Sequence, residues 1–163
     1  MAAFAMAVMV PAGAAGRAPE KSSPSLEVRI DDMAPGAVKS FQWKGRPFMV
    51  VRTTSAMLDD LRAQTPYTWS ERPIPDDGPA FFVFSVTSPA PACPLVHASR
   101  GAPRYAPERL WQGGFYDPCH FGEWDYAGRA IRQYLDQDEA MRRADLEVPA
   151  FELKGKRALR LAR

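Results

Sequence analysis

Residues 114–129 read Gly-Phe-Tyr-Asp-Pro-Cys-His-Phe-Gly-Glu-Trp-Asp-Tyr-Ala-Gly-Arg, and this stretch decides the fold. Glycine, proline and aspartate interrupt short aromatic segments, which is typical of a loop-rich region between strands. Within it, Cys119 and His120 are adjacent. Neighbouring side chains of a strand point to opposite faces, so both can reach one ion only across a sharp turn. The stretch therefore predicts a loop-rich segment that carries two potential ligands.

The composition favours a turn-rich β protein over a helical bundle. The chain has 163 residues, which suits one domain with a core, and it contains 16 prolines and 11 glycines. Its formal net charge is only +2, and no basic run is interleaved with aromatic residues. These features argue against a nucleic-acid partner. We therefore predict a single all-β domain.

The N-terminal segment differs from the rest of the chain. Residues 1–10 are continuously apolar, but the run ends at Pro11, short of the roughly 20 residues that span a bilayer. It also lacks the basic residues that begin a signal peptide. Residues 11–25 are rich in Ala, Gly, Pro and Ser, as in a flexible tether. We predict an apolar leader or anchor remnant with its tether at 1–25, and the domain at 26–163.

Hydrophobic periodicity and turn residues predict the strands. The segment 81–86 is densest in aromatic and β-branched residues and is the best candidate for a central strand. Two further segments flank Lys44-Gly45-Arg46-Pro47 and predict a hairpin. The predicted strands cover residues 26–30, 38–43, 48–51, 81–86, 146–153 and 157–161.

Two helices are predicted as well. Thr54 and Ser55 can cap a short helix that ends near Arg62, with Met57 and Leu58 on its apolar face together with Leu61. A helical turn or two is also predicted within 136–144, where acidic residues come first and arginines last, as the helix dipole favours.

The soft metal ligands of the chain are Cys93, His97, Cys119 and His120, with Asp117 beside them. Two thiolates and two imidazoles suit tetrahedral zinc, but the adjacency of the second pair argues against it. The alternative is one disulfide with two surface histidines. No phosphate-binding loop, serine nucleophile elbow or HExxH motif is present in the sequence, so no catalytic residue is predicted.

The chain resembles the Rieske iron–sulfur subunit of cytochrome bc complexes over nearly its whole length. The stretch 117–129 is similar to the family's second box, Cys-Pro-Cys-His-Gly-Ser-x-Tyr-Asp-x-x-Gly-Arg. Three other segments carry the resemblance in the same order along the chain, at 27–36, 43–53 and 145–151. It implies antiparallel sheets with a two-loop, cluster-binding-like subdomain at about 86–128.

The resemblance also places the family's first box. In the family, a strand runs directly into Cys-Thr-His-Leu-Gly-Cys; here the strand segment 81–87 runs into Ser-Pro-Ala-Pro-Ala-Cys. Ser88 then stands at a cysteine-ligand position and Ala90 at a histidine-ligand position. Cys93 stands where the family has a cysteine that does not bind iron.

The second box is altered in a matching way. Asp117 stands at the other cysteine-ligand position, and His120 keeps the second histidine. Cys119 matches the second non-ligand cysteine, so the resemblance implies a Cys93–Cys119 disulfide. Two residues that tune the cluster by hydrogen bonding in the family, a serine and a tyrosine, are replaced by Gly122 and Trp124.

These replacements predict that the [2Fe–2S] cluster is lost. A Rieske centre needs two thiolates on one iron and two imidazoles on the other, and the chain has two cysteines in total. We therefore predict no cofactor and no metal. Two alternatives stay open: an electron carrier with an atypically ligated cluster, and a zinc- or partner-binding module that uses Cys93, His97, Cys119 and His120.

The expected function follows from the family. The resemblance implies a subunit or accessory protein of a quinol–cytochrome c reductase complex, structural rather than redox-active. Its partners would be cytochrome b and c-type subunits on the periplasmic face of a bacterial inner membrane, with the N-terminus as the membrane attachment. Residues 132–143 replace a short proline-rich family segment with a longer charged one, either a solvated loop or a partner surface.

Overall fold

The computed structural model describes residues 25–76, 80–88, 93–101, 111–132 and 144–161. Within these ranges the chain is built of antiparallel strands and one short α-helix, so the all-β prediction is confirmed. The strands are β1 (Leu26–Arg29), β2 (Val38–Trp43), β3 (Arg46–Arg52), β4 (Phe81–Ser85), β5 (Val96–Ala98), β6 (Gly114–Tyr116), β7 (Glu123–Trp124), β8 (Phe151–Lys154) and β9 (Ala158–Leu161). The helix α1 spans Ser55–Gln64, and a 3-10 turn follows at Thr65–Tyr67.

The described strands form three sheets of three strands each. The inner sheet has the order β2-β3-β4, the terminal sheet β1-β9-β8, and the small sheet β5-β6-β7. The predicted hairpin joins β2 to β3 through a turn at Lys44 and Gly45, with φ angles of 51° and 72°. Positive φ at both turn residues matches the twist of antiparallel strands. The turn is shorter than predicted because β3 begins at Arg46.

The prediction that residues 81–86 form a central strand is wrong. β4 pairs with β3 alone among the described strands, and β3 is the central strand of the inner sheet. The density of apolar residues in β4 has another cause. Val83 faces one core and Phe84 faces the other, so the strand is covered on both sides although it lies at the sheet edge. One main-chain group on that edge is also hydrogen-bonded, because the Ser85 N–H donates to the Glu147 carbonyl at 2.8 Å.

Two cores lie on opposite faces of the inner sheet. Between the inner and terminal sheets, Val50 and Val83 pack with Val28, Ile30 and Leu159. On the other face, the small sheet is joined to the inner sheet by a cluster that contains Met49, Val51, Phe84, Phe115, Trp124 and Leu146. Burial of each such side chain is worth about 1.5–3 kcal/mol, so the second core fixes the small sheet firmly.

The helix forms as predicted and continues slightly further. The Thr54 hydroxyl accepts a hydrogen bond from the Met57 N–H at 3.1 Å, which caps the first turn. Leu58 and Leu61 are buried, while Met57 is half-buried at the edge of the core. The helix ends at Gln64, and Pro66 lies in the 3-10 turn that follows.

Several predicted elements differ from those observed. The strand predicted at 146–153 shortens to β8, because Leu146 and Glu147 hydrogen-bond to Gly128 and Ser85 instead, and the strand predicted at 157–161 is β9. The small sheet was not predicted; its strands are two or three residues long, too short for a periodic pattern. Residues 1–24, Ala90 and all but Ala144 of the helix predicted at 136–144 lie outside the described residues, as does the insert beyond Arg132. No helix in the described ranges is both long and apolar enough to cross a membrane.

Candidate functional site

Two loops meet beside the small sheet, as the resemblance implies. The first loop follows β4 and contains Ser88 and Cys93; the second, residues 117–122, joins β6 to β7. Cys93 and Cys119 form a disulfide with 6.2 Å between their Cα atoms. The predicted disulfide is therefore present, and it uses both cysteines of the chain. Cys93 is buried and Cys119 is exposed, so the bridge links the interior to the surface.

Asp117 organises the second loop from within. Its side chain is fully buried, and Oδ1 accepts hydrogen bonds from the N–H groups of Cys119 at 2.7 Å and His120 at 3.1 Å. Oδ2 lies 3.0 Å from Nδ1 of His120. The main chain closes the same loop, because the Asp117 N–H donates to the Gly122 carbonyl at 2.9 Å. Phe121, at φ 62°, completes the tight turn with its side chain exposed.

Ser88 connects the first loop to this carboxylate. The hydroxyl of Ser88 forms a hydrogen bond with the side chain of Asp117, and Ser88 is itself buried. Three of the four predicted ligand positions, Ser88, Asp117 and His120, are thus joined through the Asp117 carboxylate. We call this arrangement the Asp117 network. The fourth position, Ala90, lies outside the described residues.

The Asp117 network keeps the carboxylate charged. Burial alone raises the pKa of Asp117, because it removes the charged form from water. Hydrogen bonds from Ser88, from the Cys119 N–H and from His120 act in the opposite direction and are together stronger, so the pKa lies below its usual value. Asp117 is therefore a buried carboxylate at neutral pH whose charge is satisfied by the chain itself.

The two predicted tuning positions pack against each other. A Cβ atom added to Gly122 would lie 2.3 Å from the six-membered ring of Trp124. The indole N–H of Trp124 donates to the Ala144 carbonyl at 2.8 Å. The indole ring thus fills the space that a side chain at position 122 would need. Its N–H group, the one hydrogen-bond donor of the ring, is already bonded to a main-chain carbonyl.

His97 is held elsewhere. It lies on β5, where its Nε2 is 3.2 Å from the hydroxyl of Tyr126, and its ring centroid is 5.5 Å from that of Phe115. Burial lowers the pKa of His97 and raises the pKa of Tyr126. The predicted set of Cys93, His97, Cys119 and His120 is not brought together as a group. In the described part of the chain, the potential ligand atoms that lie within 4.8 Å of one another belong to Cys93, Asp117 and Cys119, and the two sulfurs among them are joined in the disulfide.

A buried ion pair that the sequence interpretation missed fixes the end of the second box. Arg129 and Asp125 are fully buried, and Nε donates to Oδ2 at 2.7 Å. The other guanidinium nitrogens of Arg129 donate to the Thr65 hydroxyl at 2.9 Å and to the Leu61 carbonyl at 2.5 Å. Burial raises the pKa of Asp125, and Arg129 opposes that effect. The pair fastens the small sheet to the end of α1. The sequence feature that could have indicated this ion pair is the four-residue spacing of Asp125 and Arg129 within residues 114–129.

The donor set does not fit a Rieske centre. Such a centre takes two thiolates and two imidazoles, one pair on each iron. Here the two sulfurs are bonded to each other, and Asp117 and Ser88 offer oxygen atoms where the cluster takes thiolates. Of the two imidazoles, His120 contacts Asp117 while His97 contacts Tyr126. The arrangement can hold two loops in place, but it does not supply the ligands of the cluster.

Comparison with known proteins agrees with the architecture. No protein-family model matches the chain. The chain is 25% identical over 122 residues to the ubiquinol-cytochrome c reductase iron-sulfur subunit of Allochromatium vinosum, a match that covers 66% of the chain. It spans 57% of the length of that relative. Together, this sequence similarity and the antiparallel all-β structure fit a Rieske-like protein.

Proposed function

We propose that this chain is a Rieske-like subunit or accessory protein of a respiratory quinol–cytochrome c reductase complex, and that it acts there as a structural component without a [2Fe–2S] cluster. The observation that carries the proposal is the Asp117 network. The three residues that match cluster ligands in the resemblance, Ser88, Asp117 and His120, are joined through hydrogen bonds to the Asp117 carboxylate.

The role in a complex is supported by the relative, which is named as a subunit of ubiquinol-cytochrome c reductase. The proposed partners are cytochrome b and c-type subunits, and the proposed location is the periplasmic face of a bacterial inner membrane. A disulfide such as Cys93–Cys119 persists in an oxidising compartment of this kind. The N-terminal segment would provide the attachment to the membrane.

The structural role follows from what holds the two loops together. In a Rieske centre, ligands from both loops meet on the iron atoms, so the cluster itself joins them. Here the Ser88–Asp117 hydrogen bond and the Cys93–Cys119 bridge join the loops. Packing of Trp124 over Gly122 fills the space beside them. The chain thereby keeps the shape of the two-loop subdomain by means of its own side chains.

Metal and sulfide analysis of the purified, full-length chain tests the proposal. We expect no iron–sulfur absorption, no electron paramagnetic resonance signal after reduction with dithionite, and no free thiol under denaturing conditions. The chain should co-purify with cytochrome b when it is tagged in its native host. About two irons per chain with a Rieske-type signal would instead establish the electron carrier with atypical ligands.

A restored variant provides the matched control. Ser88→Cys, Ala90→His and Asp117→Cys together return the family's ligand types to the three altered positions. After anaerobic reconstitution, this variant should give a cluster signal while the unmodified chain treated in parallel gives none. A cluster in both proteins would contradict the proposed loss.

A further inference from the structure

Three side chains of the types that serve as metal ligands meet where the two loops touch. The Sγ atoms of Cys93 and Cys119 and a carboxylate oxygen of Asp117 all lie within 4.8 Å of one another. Ligand atoms on one tetrahedral zinc ion are separated by roughly 3.3–3.8 Å, given metal–ligand bonds of about 2.0–2.3 Å. The carboxylate is therefore close to a ligand position already, and the sulfurs need only to separate from bonding contact.

The surroundings of Asp117 suit a ligand. Carboxylates that bind metals are themselves held by hydrogen bonds, which orient them and reduce the cost of ordering. Asp117 has such support from the N–H groups of Cys119 and His120 and from the imidazole of His120. Cys119 is exposed, so an ion can enter from the solvent side while Cys93 and Asp117 form the buried floor.

We propose that reduction of the Cys93–Cys119 disulfide converts this loop contact into a site for one thiophilic divalent cation such as Zn²⁺. Cys93, Cys119 and Asp117 are the protein ligands, and water takes the fourth position. His120 remains hydrogen-bonded to Asp117 as a positioning residue. The site depends on the geometry of the loops alone, so it stands whether or not the chain joins a reductase complex.

The redox step balances with a dithiol as the reductant. The dithiol supplies two electrons and two protons, the Cys93–Cys119 bond breaks to give two thiols, and the reductant leaves as its own disulfide. Binding of the cation then releases the two thiol protons to solvent, because thiolates are the metal ligands. The oxidised chain has no thiolate to offer and does not form the site.

Cobalt titration of the reduced, full-length chain is the first test. Co²⁺ is added anaerobically after the reductant has been removed. We expect thiolate-to-cobalt charge-transfer absorption and intense tetrahedral d–d bands that saturate at one equivalent and disappear on addition of Zn²⁺. The oxidised chain and the Cys93→Ser/Cys119→Ser variant should show neither. Absence of these bands in the reduced chain would overturn the proposal.

Substitution of the carboxylate tests the ligand set. Asp117→Asn replaces a charged ligand with a neutral amide and should weaken cobalt binding by at least about tenfold, since loss of a group that only supports a ligand already costs about 10–100-fold. Asp59→Asn removes an exposed carboxylate and is the matched control, with affinity unchanged. His97→Ala should also bind normally, since His97 is held by Tyr126. Equal affinity of Asp117→Asn and Asp59→Asn would overturn the assignment of Asp117.

A measurement on the unmodified chain covers the case in which Asp117→Asn fails to fold. X-ray absorption at the zinc edge of the reduced, zinc-loaded chain should give two sulfur and two oxygen ligands without imidazole scattering. Imidazole scattering would overturn the assigned ligands. Iron content of the oxidised, purified chain reports on the proposed function, so failure of one proposal can be distinguished from failure of the other.

Discussion

Nδ1 of His120 lies 3.0 Å from Oδ2 of Asp117, so two residues of the loop between β6 and β7 bind each other. The resemblance matches Asp117 to a cysteine ligand of the family and His120 to a retained histidine, and it predicts that neither residue binds iron. In the structure, the carboxylate instead draws the imidazole and two main-chain N–H groups around itself. The Asp117 carboxylate therefore holds this loop together through the hydrogen bonds that it accepts.

Loss of the Asp117 charge should destabilise the chain at neutral pH. Asp117→Asn keeps the size of the side chain but weakens several buried, charge-assisted hydrogen bonds, for an expected loss of about 1–3 kcal/mol. Because the folded-state pKa of Asp117 is lowered, its stabilising effect is complete above the unfolded-state pKa, about 3.9. That effect is lost as the pH falls through the lower folded-state pKa.

Urea denaturation at a series of pH values between 7 and 2 measures this effect. The difference in the free energy of unfolding between the unmodified chain and Asp117→Asn should be constant at neutral pH and should shrink in the acid range. Asp59→Asn, which changes an exposed carboxylate, is the control for a general loss of charge. A difference that stays constant down to pH 2 would contradict the prediction.

Gly122 and Trp124 should be energetically coupled. Gly122→Ser places atoms inside the indole ring, since a Cβ at that position would lie 2.3 Å from it. We expect a loss of about 1–3 kcal/mol from this overpacking. Trp124→Tyr removes the ring atoms that collide, so the double variant should lose less than the sum of the two single variants. A double-mutant cycle by chemical denaturation measures the coupling, and strict additivity would argue against the contact.

Removal of Arg129 should cost far more than removal of a surface arginine. Arg129→Met leaves Asp125 buried without its partner, for an expected loss of about 3–5 kcal/mol. Arg46 pairs with Glu147, and the side chains are 49% and 57% exposed. Arg46→Met should therefore cost about 0–1 kcal/mol. Thermal and urea unfolding of the two methionine variants provide the comparison; similar losses would show that the buried pair is not critical.

The disulfide should stabilise the chain mainly by restricting the unfolded state. Cys93 and Cys119 are separated by 26 positions in sequence, and closure of a loop of this length corresponds to about 3.5 kcal/mol. Cys93→Ser/Cys119→Ser should unfold at a correspondingly lower urea concentration. Hydrogen exchange should become faster in the two loops, while the amides of the inner sheet stay protected until global unfolding. If the amides of the inner sheet exchanged faster to the same degree as those of the loops, the prediction that the disulfide stabilises the loops locally would be wrong.

The parts of the fold that sequence could predict are those with a local pattern. Alternation in 26–30 and the polar turn after Trp43 identified β1 and the hairpin, because burial on one face and turn geometry leave their mark within a few residues. The position of β4 at a sheet edge could not be predicted. Covering of both faces, rather than central pairing, determines its composition, and that covering depends on distant segments.

In the candidate site, too, some features could be predicted from the sequence, while others depend on contacts between distant residues. The disulfide followed from matching two boxes in order, and Ser88, Asp117 and His120 do lie together. Their hydrogen bonds to one another could not be derived from spacing, because each depends on where a buried side chain points. The role of Arg129 was missed for a related reason. Its partners Thr65 and Leu61 lie more than sixty positions away in the sequence.

The pairing of β1 with β9 has a consequence for biosynthesis. Leu26 is in register with Leu161 and Arg29 with Ala158. Among the described strands, β1 pairs only with β9, so it cannot form its sheet until β9 has been synthesised. During translation, Val28 and Ile30 can contact Val50 and Val83 earlier, but their packing against Leu159 is incomplete until β9 has emerged. The core that they share with Leu159 therefore closes only after β9, the last described strand, has been made.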